Sequence, residues 1–174
     1  MLGNAKYERA DVTEGKAGVP LDLELTVATA GSACAPIVGA TVMNWQCDAA
    51  GNYSEYSQPG YDGSGQTFLR GYQTSDASGK VKFTTIFPGW YNGRATHIHV
   101  DVQVNGKSVK TTQIAFPEDI QALVYASSAY AAHGQSPLEN SADMVFSDGD
   151  EEELVAVVGD TAAGYAGKLV IAVA

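Results

Sequence analysis

Short segments with a two-residue hydrophobic period, separated by turn-forming residues, most constrain how this chain can fold. In residues 21–27, Leu and Val at every second position alternate with Asp, Glu and Thr, which is typical of a strand with one buried face. Residues 97–104 and 107–116 flank Asn105-Gly106, a strong hairpin signal. Little of the chain shows the longer period of an amphipathic helix. The pattern predicts an all-β fold, a β-sandwich with Gly-rich loops and little helix.

The other predicted elements follow the same pattern. Further strands are predicted at 37–47, 68–74, 80–87, 153–158 and 168–173, and one short helix at 117–124 with Pro at its first position. Residues 50–66 are dense in Gly and turn formers and predict a long loop, which in compact domains is usually functional. We expect residues 1–17 to form a loose N-terminal arm and residues 18–174 to form a single β-sandwich domain.

Charge and hydropathy restrict the partners and the location. The chain has 20 acidic and 10 basic side chains, a formal net charge of −10. Nucleic acids and anionic membrane surfaces require clustered Lys and Arg, so we expect neither as a partner. No apolar run approaches the roughly 18 residues of a membrane span, and residues 1–6 lack the apolar core of a secretory signal. The protein is therefore expected either in the cytoplasm or outside the cell, with its leader absent from this chain.

The two cysteines, Cys34 and Cys47, favour the extracellular location. They bracket one predicted strand, and a disulfide between them would stabilise the fold by about 3 kcal/mol. Two unrelated thiols explain the same spacing equally well. The acidic run at 148–153 is predicted to be a solvated charge cluster, because it lacks the spacing of a calcium-binding loop.

Two of the three histidines, His97 and His99, stand two residues apart on a predicted strand. Side chains at this spacing point to the same face, about 6.6 Å apart, which suits two ligands of one metal ion. An ordinary solvent-facing strand explains an isolated pair of this kind as well. Asp101 shares the histidine face and could complete a facial triad for ferrous iron. A regular two-residue hairpin would place it opposite Lys110, where an ion pair would explain it.

An ordered series of motifs surrounds these histidines. It consists of Trp-Gln-Cys-Asp-Ala-Ala-Gly-Asn-Tyr-Ser at 45–54, Phe-Leu-Arg-Gly-Tyr-Gln-Thr at 68–74, and Pro-Gly-Trp-Tyr-Asn-Gly-Arg-Ala-Thr-His-Ile-His at 88–99. The series resembles the intradiol ring-cleavage dioxygenases, the non-haem ferric enzymes that include catechol 1,2- and protocatechuate 3,4-dioxygenases. It is most similar to their small secreted branch, and the resemblance covers roughly residues 19–117.

The resemblance implies an iron(III) site with two phenolate and two imidazole ligands. Matched motif by motif, these ligands are Tyr53, Tyr91, His97 and His99. Ferric iron is a hard cation and would lower the pKa of a phenol from about 10, so that tyrosinate can bind at neutral pH. Tyr56 and Tyr61 are nearby alternatives for the first tyrosine ligand.

The resemblance also implies roles for residues around the ligands. Arg94 matches the family's active-site arginine, which would steady negative charge on the substrate carbon. Gln113 corresponds to a glutamine in the shell outside the ligands. A regular hairpin would set Gln113 opposite Ile98 and away from the histidine face, so a β-bulge would be needed to turn it. We expect Arg70 to form a structural salt bridge, and His133, in a loop, to have no functional role.

The activity implied by the resemblance is the opening of a catechol ring between its two hydroxylated carbons with O2, giving a muconate-type diacid. The catechol would chelate the iron, and residues 18–174 would be the catalytic domain. The alternative is a protein of a different class, a secreted β-sandwich module that binds carbohydrate or protein without iron. The loop at 50–66 would then form the surface that binds the sugar. Because the chain lacks the helical segment that catechol dioxygenases use for dimerisation, we expect a monomer.

Overall fold

The computed structural model describes residues 3–31, 33–149 and 151–174. Within these ranges the chain forms ten β-strands, one α-helix, and short 3-10 helices at Ala5–Tyr7 and Asn140–Ala142. The strands and the helix are β1 (Pro20–Thr29), β2 (Thr41–Trp45), β3 (Ser57–Gln58), β4 (Tyr61–Asp62), β5 (Arg70–Thr74), β6 (Lys80–Ile86), β7 (His97–Val104), β8 (Lys107–Ala115), α1 (Glu118–Tyr125), β9 (Ala156–Asp160) and β10 (Gly164–Val173).

Two four-stranded sheets enclose one core and confirm the predicted β-sandwich. The first sheet has the order β6-β1-β10-β9 and the second has the order β5-β2-β7-β8. Neighbouring strands are antiparallel except for the parallel pair β1 and β10. The loop predicted at 50–66 carries only the two-residue strands β3 and β4. The short helix forms where the sequence predicted it, and Pro117 is its N-cap.

The core is built from alternate residues of both sheets. In the first sheet, the apolar positions of β1 from Leu21 to Val27 are at most 1% exposed. In the second sheet, Ile98, Val100 and Val102 of β7 are fully buried in the same cluster. Because successive side chains of a strand point to opposite faces, the odd-numbered positions of β7 lie on the outer face of the second sheet. His97 and His99 are therefore directed away from the core.

A β-bulge interrupts the hairpin of β7 and β8. Gln103 pairs with Ser108, whereas the preceding residue, Val102, pairs with Lys110. Val109 is therefore an extra residue on β8, with no direct partner on β7. The bulge shifts the remainder of β8 by one residue relative to a regular hairpin, so each later side chain faces the opposite surface from the one expected.

The N-terminal segment is packed against the sandwich, so the expectation of a loose arm is wrong. Tyr7 and Val12 are buried, and Val12 belongs to the main core. Arg9 donates hydrogen bonds to the backbone carbonyls of Thr67 at 2.6 Å and Arg70 at 2.9 Å. The segment lacks a period of two because it meets β5 and β6 only through isolated bridges, Glu8 with Tyr72 and Asp11 with Thr84, instead of joining a sheet along its length.

The candidate disulfide is also not formed, because Cys34 and Cys47 are free thiols. Cys34 is exposed in the turn after β1, where its thiol donates to the carbonyl of Gly31, whereas Cys47 is buried beyond the far end of β2. The five residues of β2 span about 16 Å, which is well beyond the Cα separation of about 7 Å that a disulfide allows.

The acidic run at 148–153 is solvated where the structure describes it. Asp148, Glu151 and Glu152 are exposed, and Asp150 lies outside the described residues. Among the described helices, none is long and apolar enough to cross a membrane.

Candidate functional site

Four side chains that the sequence singled out meet on the outer face of the second sheet. The Nε2 atom of His97 lies 3.4 Å from the phenol oxygen of Tyr53 and 3.4 Å from that of Tyr91. The Nε2 atom of His99 is 3.2 Å from the same His97 atom. Three separate stretches of chain therefore bring two phenol oxygens and two imidazole nitrogens to one point.

The Tyr53 segment is held by contacts with the edge of the second sheet. The Tyr53 amide donates to the side chain of Gln58 at 2.6 Å, and the Ser54 hydroxyl donates to the carbonyl of Phe68 at 2.6 Å. Arg70 is buried and donates to the Ser54 hydroxyl at 2.8 Å and to its carbonyl. The expected Arg70 salt bridge is wrong for the part of the chain that is described, since no carboxylate there pairs with this guanidinium. Arg70 instead fixes the residue next to Tyr53.

The two histidines are held in a form suited to binding a metal. The Nδ1 atom of His97 lies 2.7 Å from the carbonyl of Ala95, to which the neutral ring donates its proton, so that Nε2 keeps a free lone pair. The His99 ring stacks on Trp45 with centroids 4.8 Å apart and planes 5° from parallel. Burial lowers the pKa of His97 to about 4 and that of His99 to about 3. Both imidazoles are therefore neutral at pH 7.

Burial favours the neutral form of the two phenols as well, by raising their pKa values. Burial raises the pKa of Tyr53 far above its usual value, and it raises the pKa of Tyr91 against the opposing effect of Arg94. The two rings meet edge to face with centroids 5.6 Å apart. Without a bound metal ion both phenols are protonated at neutral pH, even with Arg94 nearby, and a metal ion would supply the further positive charge that phenolates need.

The four donors fit a single hard cation. Donors about 2.0–2.1 Å from one ion stand roughly 2.9 to 3.4 Å from each other, and the separations of 3.2–3.4 Å here fall in that range. Two phenolates would offset two of the three charges of a ferric ion, and the imidazoles would complete the set without further charge. In the described ranges there is no group of three or more His, Cys, Asp or Glu side chains that could hold a metal ion.

Arg94 is placed beside this cluster by a residue that sequence reasoning missed. The Asp143 carboxylate is fully buried and accepts from the Arg94 Nε at 2.9 Å and from its Nη2 at 3.2 Å. It also accepts from the amides of Ala95 at 2.6 Å and Val145 at 2.8 Å. The Arg94 Nη1 is 3.4 Å from the Tyr91 oxygen. Asp143 lies in a long loop without any motif, so no sequence signal distinguishes it from the other acidic residues.

Gln113 faces the histidines because of the β-bulge at Val109. It pairs with His99 instead of Ile98, and its side-chain oxygen accepts a hydrogen bond from the Arg94 Nη2. The regular hairpin considered from the sequence would have turned it into the core. Gln113 and Asp143 together hold the Arg94 guanidinium from two sides.

Asp101 is not part of the cluster, so the ferrous triad and the ion pair with Lys110 are both wrong. The bulge pairs Asp101 with Thr111. Its carboxylate accepts from the hydroxyls of Ser108 and Thr111, at 2.5 Å and 2.7 Å, and from the side-chain amide of Gln103 at 3.0 Å. These bonds occupy both oxygens of the carboxylate, which closes the hairpin instead of facing the histidines.

The remaining candidate residues lie around the cluster or away from it. Tyr56 is 48% exposed and lines the cavity, whereas the Tyr61 hydroxyl donates to Gln66 at 2.8 Å and is not among the lining residues. His133 packs on Trp90 and contacts its carbonyl at 2.7 Å.

The cavity next to the four donors has a volume of about 320 Å³ and is lined by Trp45, Tyr53, Tyr56, Gln58, Tyr91 and His99.

Comparisons with known proteins find chains of similar sequence and fold. A family model described as "Dioxygenase" matches residues 4–149. An intradiol ring-cleavage dioxygenase from Tetranychus urticae superposes with a TM-score of 0.88 at 28% identity, over 95% of this chain and 86% of that one. The dioxygenase domain of a dioxygenase and carbohydrate-binding protein fusion from Streptomyces sp. SirexAA-E has a TM-score of 0.67 at 31% identity, over 100% of this chain and 96% of that one.

More distant structures share the fold. Catechol 1,2-dioxygenase from Pseudomonas arvilla C-1 superposes with a TM-score of 0.64 at 20% identity, over 94% of this chain and 55% of that one. A search of curated protein sequences finds no match.

Proposed function

The chain belongs to the intradiol ring-cleavage dioxygenases, and we propose that it binds iron(III) through Tyr53, Tyr91, His97 and His99. We propose further that it uses O2 to cleave catechol-type rings between their two hydroxylated carbons, giving muconate-type diacids. The observation that carries the proposal is the convergence of three donor atoms within 3.4 Å of the His97 Nε2. Family membership already makes the protein an oxygenase, so a binding module without catalysis does not explain it.

The residues of the cluster would bind the ion, and the two tyrosines would release and accept protons. When bound, iron(III) would supply a Lewis-acidic centre for the two oxygens of a catechol and activate the ring toward O2. Tyr53 and Tyr91 would each release a phenol proton on binding the ion, because burial keeps both protonated in its absence. Either phenolate oxygen is then a base that could take a proton from the entering catechol.

Arg94 would act on charge that develops on the substrate. Its guanidinium lies beside the Tyr91 oxygen and is held by Asp143 and Gln113, so it is oriented before substrate arrives. A fixed cation in a partly desolvated site stabilises a developing anion without reorganisation. The aromatic walls formed by Trp45 and Tyr56 would pack against the ring and exclude water.

Iron analysis, visible absorption and oxygen uptake together test the proposal. Purified protein loaded with ferric iron should bind one ion per chain and show the red-brown colour of tyrosinate-to-iron charge transfer. Tyr53→Phe and Tyr91→Phe should each weaken or shift that absorption and reduce oxygen uptake with catechol, whereas the matched control Tyr61→Phe should change neither. Colourless wild-type protein that retains no iron would refute the ligand assignment.

A monomeric state and secretion stay predictions from the sequence. The monomer is checked by the mass of the purified protein in light scattering. Secretion is checked by locating the protein in its native organism by cell fractionation.

A further inference from the structure

A second groove opens beside the cavity of the four donors. It has a volume of about 490 Å³, and Lys6, Glu55 and Arg70 are among the residues that line it. Trp45 and Tyr56 line both this groove and the cavity of about 320 Å³ at the donors. The two spaces therefore adjoin across these two aromatic side chains, and a ligand larger than one ring could occupy both. We call the second space the Arg70 groove.

The Arg70 groove is positively charged in a strongly acidic protein. Its lining contains two basic side chains, Lys6 and Arg70, and one acidic side chain, Glu55, a local balance of +1 in a chain with a net charge of −10. The Lys6 side chain is 47% exposed and its ammonium lies 3.6 Å from the Glu55 carboxylate, so this charge is partly neutralised and still accessible.

Arg70 is the unusual member of this lining. It is only 4% exposed, its guanidinium lies 5.1 Å from the ring centre of Tyr56, and its hydrogen bonds go to the neutral oxygens of Ser54. Within the described residues it forms no salt bridge, and the Glu55 carboxylate acts on it only as a longer-range charge. A buried cation without a direct salt bridge is only partly compensated, and an anionic ligand in the groove would relieve the remaining electrostatic cost.

The sheet sets the distance between this cation and the donor cluster. Arg70, Trp45 and His99 are direct cross-strand partners on β5, β2 and β7, so they form one row on the outer face. Two strand spacings place the ends of the row about 10 Å apart. A catechol whose hydroxyls lie at the donors would extend past Trp45. The ring together with an extended three-carbon side chain would place a terminal carboxylate about 10 Å from the donors, near Arg70.

We propose that the Arg70 groove binds the carboxylate tail of an acidic catechol, and that this chain therefore prefers catechols with a three-carbon acid side chain over the corresponding neutral esters. The inference rests on the proposed function, since it assigns the substrate class of the same site. The contact with the carboxylate tail lies far from the reacting carbons, so it stabilises the bound substrate and the transition state equally. It should therefore lower KM and leave kcat unchanged.

Oxygen uptake on a series of catechols tests the subsite in the iron-loaded protein. The series is 3,4-dihydroxybenzoate, 3,4-dihydroxyphenylacetate and 3-(3,4-dihydroxyphenyl)propanoate, each compared with its methyl ester. We expect the propanoate to have a KM about tenfold below that of its ester, which corresponds to one charge-assisted hydrogen bond, with little difference for the benzoate pair. Equal KM values for the propanoate and its ester would overturn the subsite while leaving ring cleavage intact.

Two variants separate the subsite from a structural effect. Lys6→Gln keeps the side-chain stem and should raise the KM of the propanoate about threefold without changing that of its ester. Lys168→Gln removes the same charge from an exposed position on β10 and should change neither. Arg70→Lys, checked for bound iron and for its charge-transfer absorption, should raise the KM of the acid more than that of the ester. An equal rise for both would overturn the subsite.

A different outcome would refute the proposed function itself. A protein that holds no iron and consumes no oxygen with any member of the series would refute the proposed function, and the subsite with it.

Discussion

Replacement of Asp143 by asparagine tests how the Arg94 guanidinium is held. The Asp143 carboxylate is fully buried and takes four hydrogen bonds, two from Arg94 and one each from the amides of Ala95 and Val145. Asparagine has nearly the same shape, but it carries no charge and offers only one acceptor oxygen. Asp143→Asn therefore leaves the Arg94 cation without its counter-charge in a site where its side chain is only 13% exposed.

The expected loss can be worked from this geometry. Removal of one partner of a buried ion pair typically destabilises a protein by about 3–5 kcal/mol. Because the Arg94 side chain keeps some contact with solvent, we expect a loss near the lower end, about 3 kcal/mol in the free energy of unfolding. For a domain of this size, that loss should lower Tm by about 9 °C.

The same contacts fix the pH dependence. Burial acts to raise the pKa of Asp143, but the Arg94 guanidinium and the two backbone amides outweigh it, so the folded pKa lies below the ordinary value. A carboxyl with a depressed folded pKa stabilises the fold above its unfolded pKa, about 3.9, and that stabilisation is lost as the pH falls through the folded pKa. The difference between wild type and Asp143→Asn should therefore be full at pH 7 and shrink below about pH 4.

Urea unfolding at pH 7 measures the effect, with Glu139→Gln as the control in the same loop. Glu139 is exposed, so its replacement should change the free energy of unfolding by less than about 0.5 kcal/mol. The double variant Arg94→Met/Asp143→Asn removes both charges and should be more stable than the sum of the single losses predicts, by about 2 kcal/mol. A loss below 1 kcal/mol in Asp143→Asn, or strict additivity in the double variant, would refute the reasoning.

Three further predictions address the core, the thiols and the outer face of β7. Leu23→Ala should lower the free energy of unfolding by about 3–4 kcal/mol, because Leu23 is 1% exposed between the sheets. Val158→Ala, at an exposed position, should change the free energy of unfolding little, and urea unfolding compares the two variants. A thiol reagent should label Cys34 in the folded protein and Cys47 only after unfolding, because burial raises the pKa of the Cys47 thiol. Asp101→Ala should leave the iron content unchanged, because the Asp101 carboxylate is hydrogen-bonded within the hairpin. Loss of the metal in this variant would support the hypothesis of a ferrous triad that includes Asp101.

Local sequence determined the elements and much of the chemistry. Alternation in residues 21–27 is sufficient to predict β1, because a strand with one buried face must place its apolar residues at every second position. The same rule puts His97 and His99 on one face whatever the rest of the fold does. The family resemblance carried by the motifs at 45–54 and 88–99 selected Tyr53 and Tyr91 from nine tyrosines, and the structure brings both to the histidines.

The tertiary structure alone decided the features that depend on how distant segments meet. Asp143 reaches Arg94 across 49 residues, a contact that depends on the path of an irregular loop and has no periodic signal. The bulge at Val109 turns Gln113 toward the site, and the hydrophobic pattern of a partly exposed hairpin leaves its register open. The N-terminal segment packs through Tyr7 and Val12, two buried side chains too few to form a pattern. Short-range periodicity specifies which face a residue takes, whereas the partner it meets there depends on long-range packing.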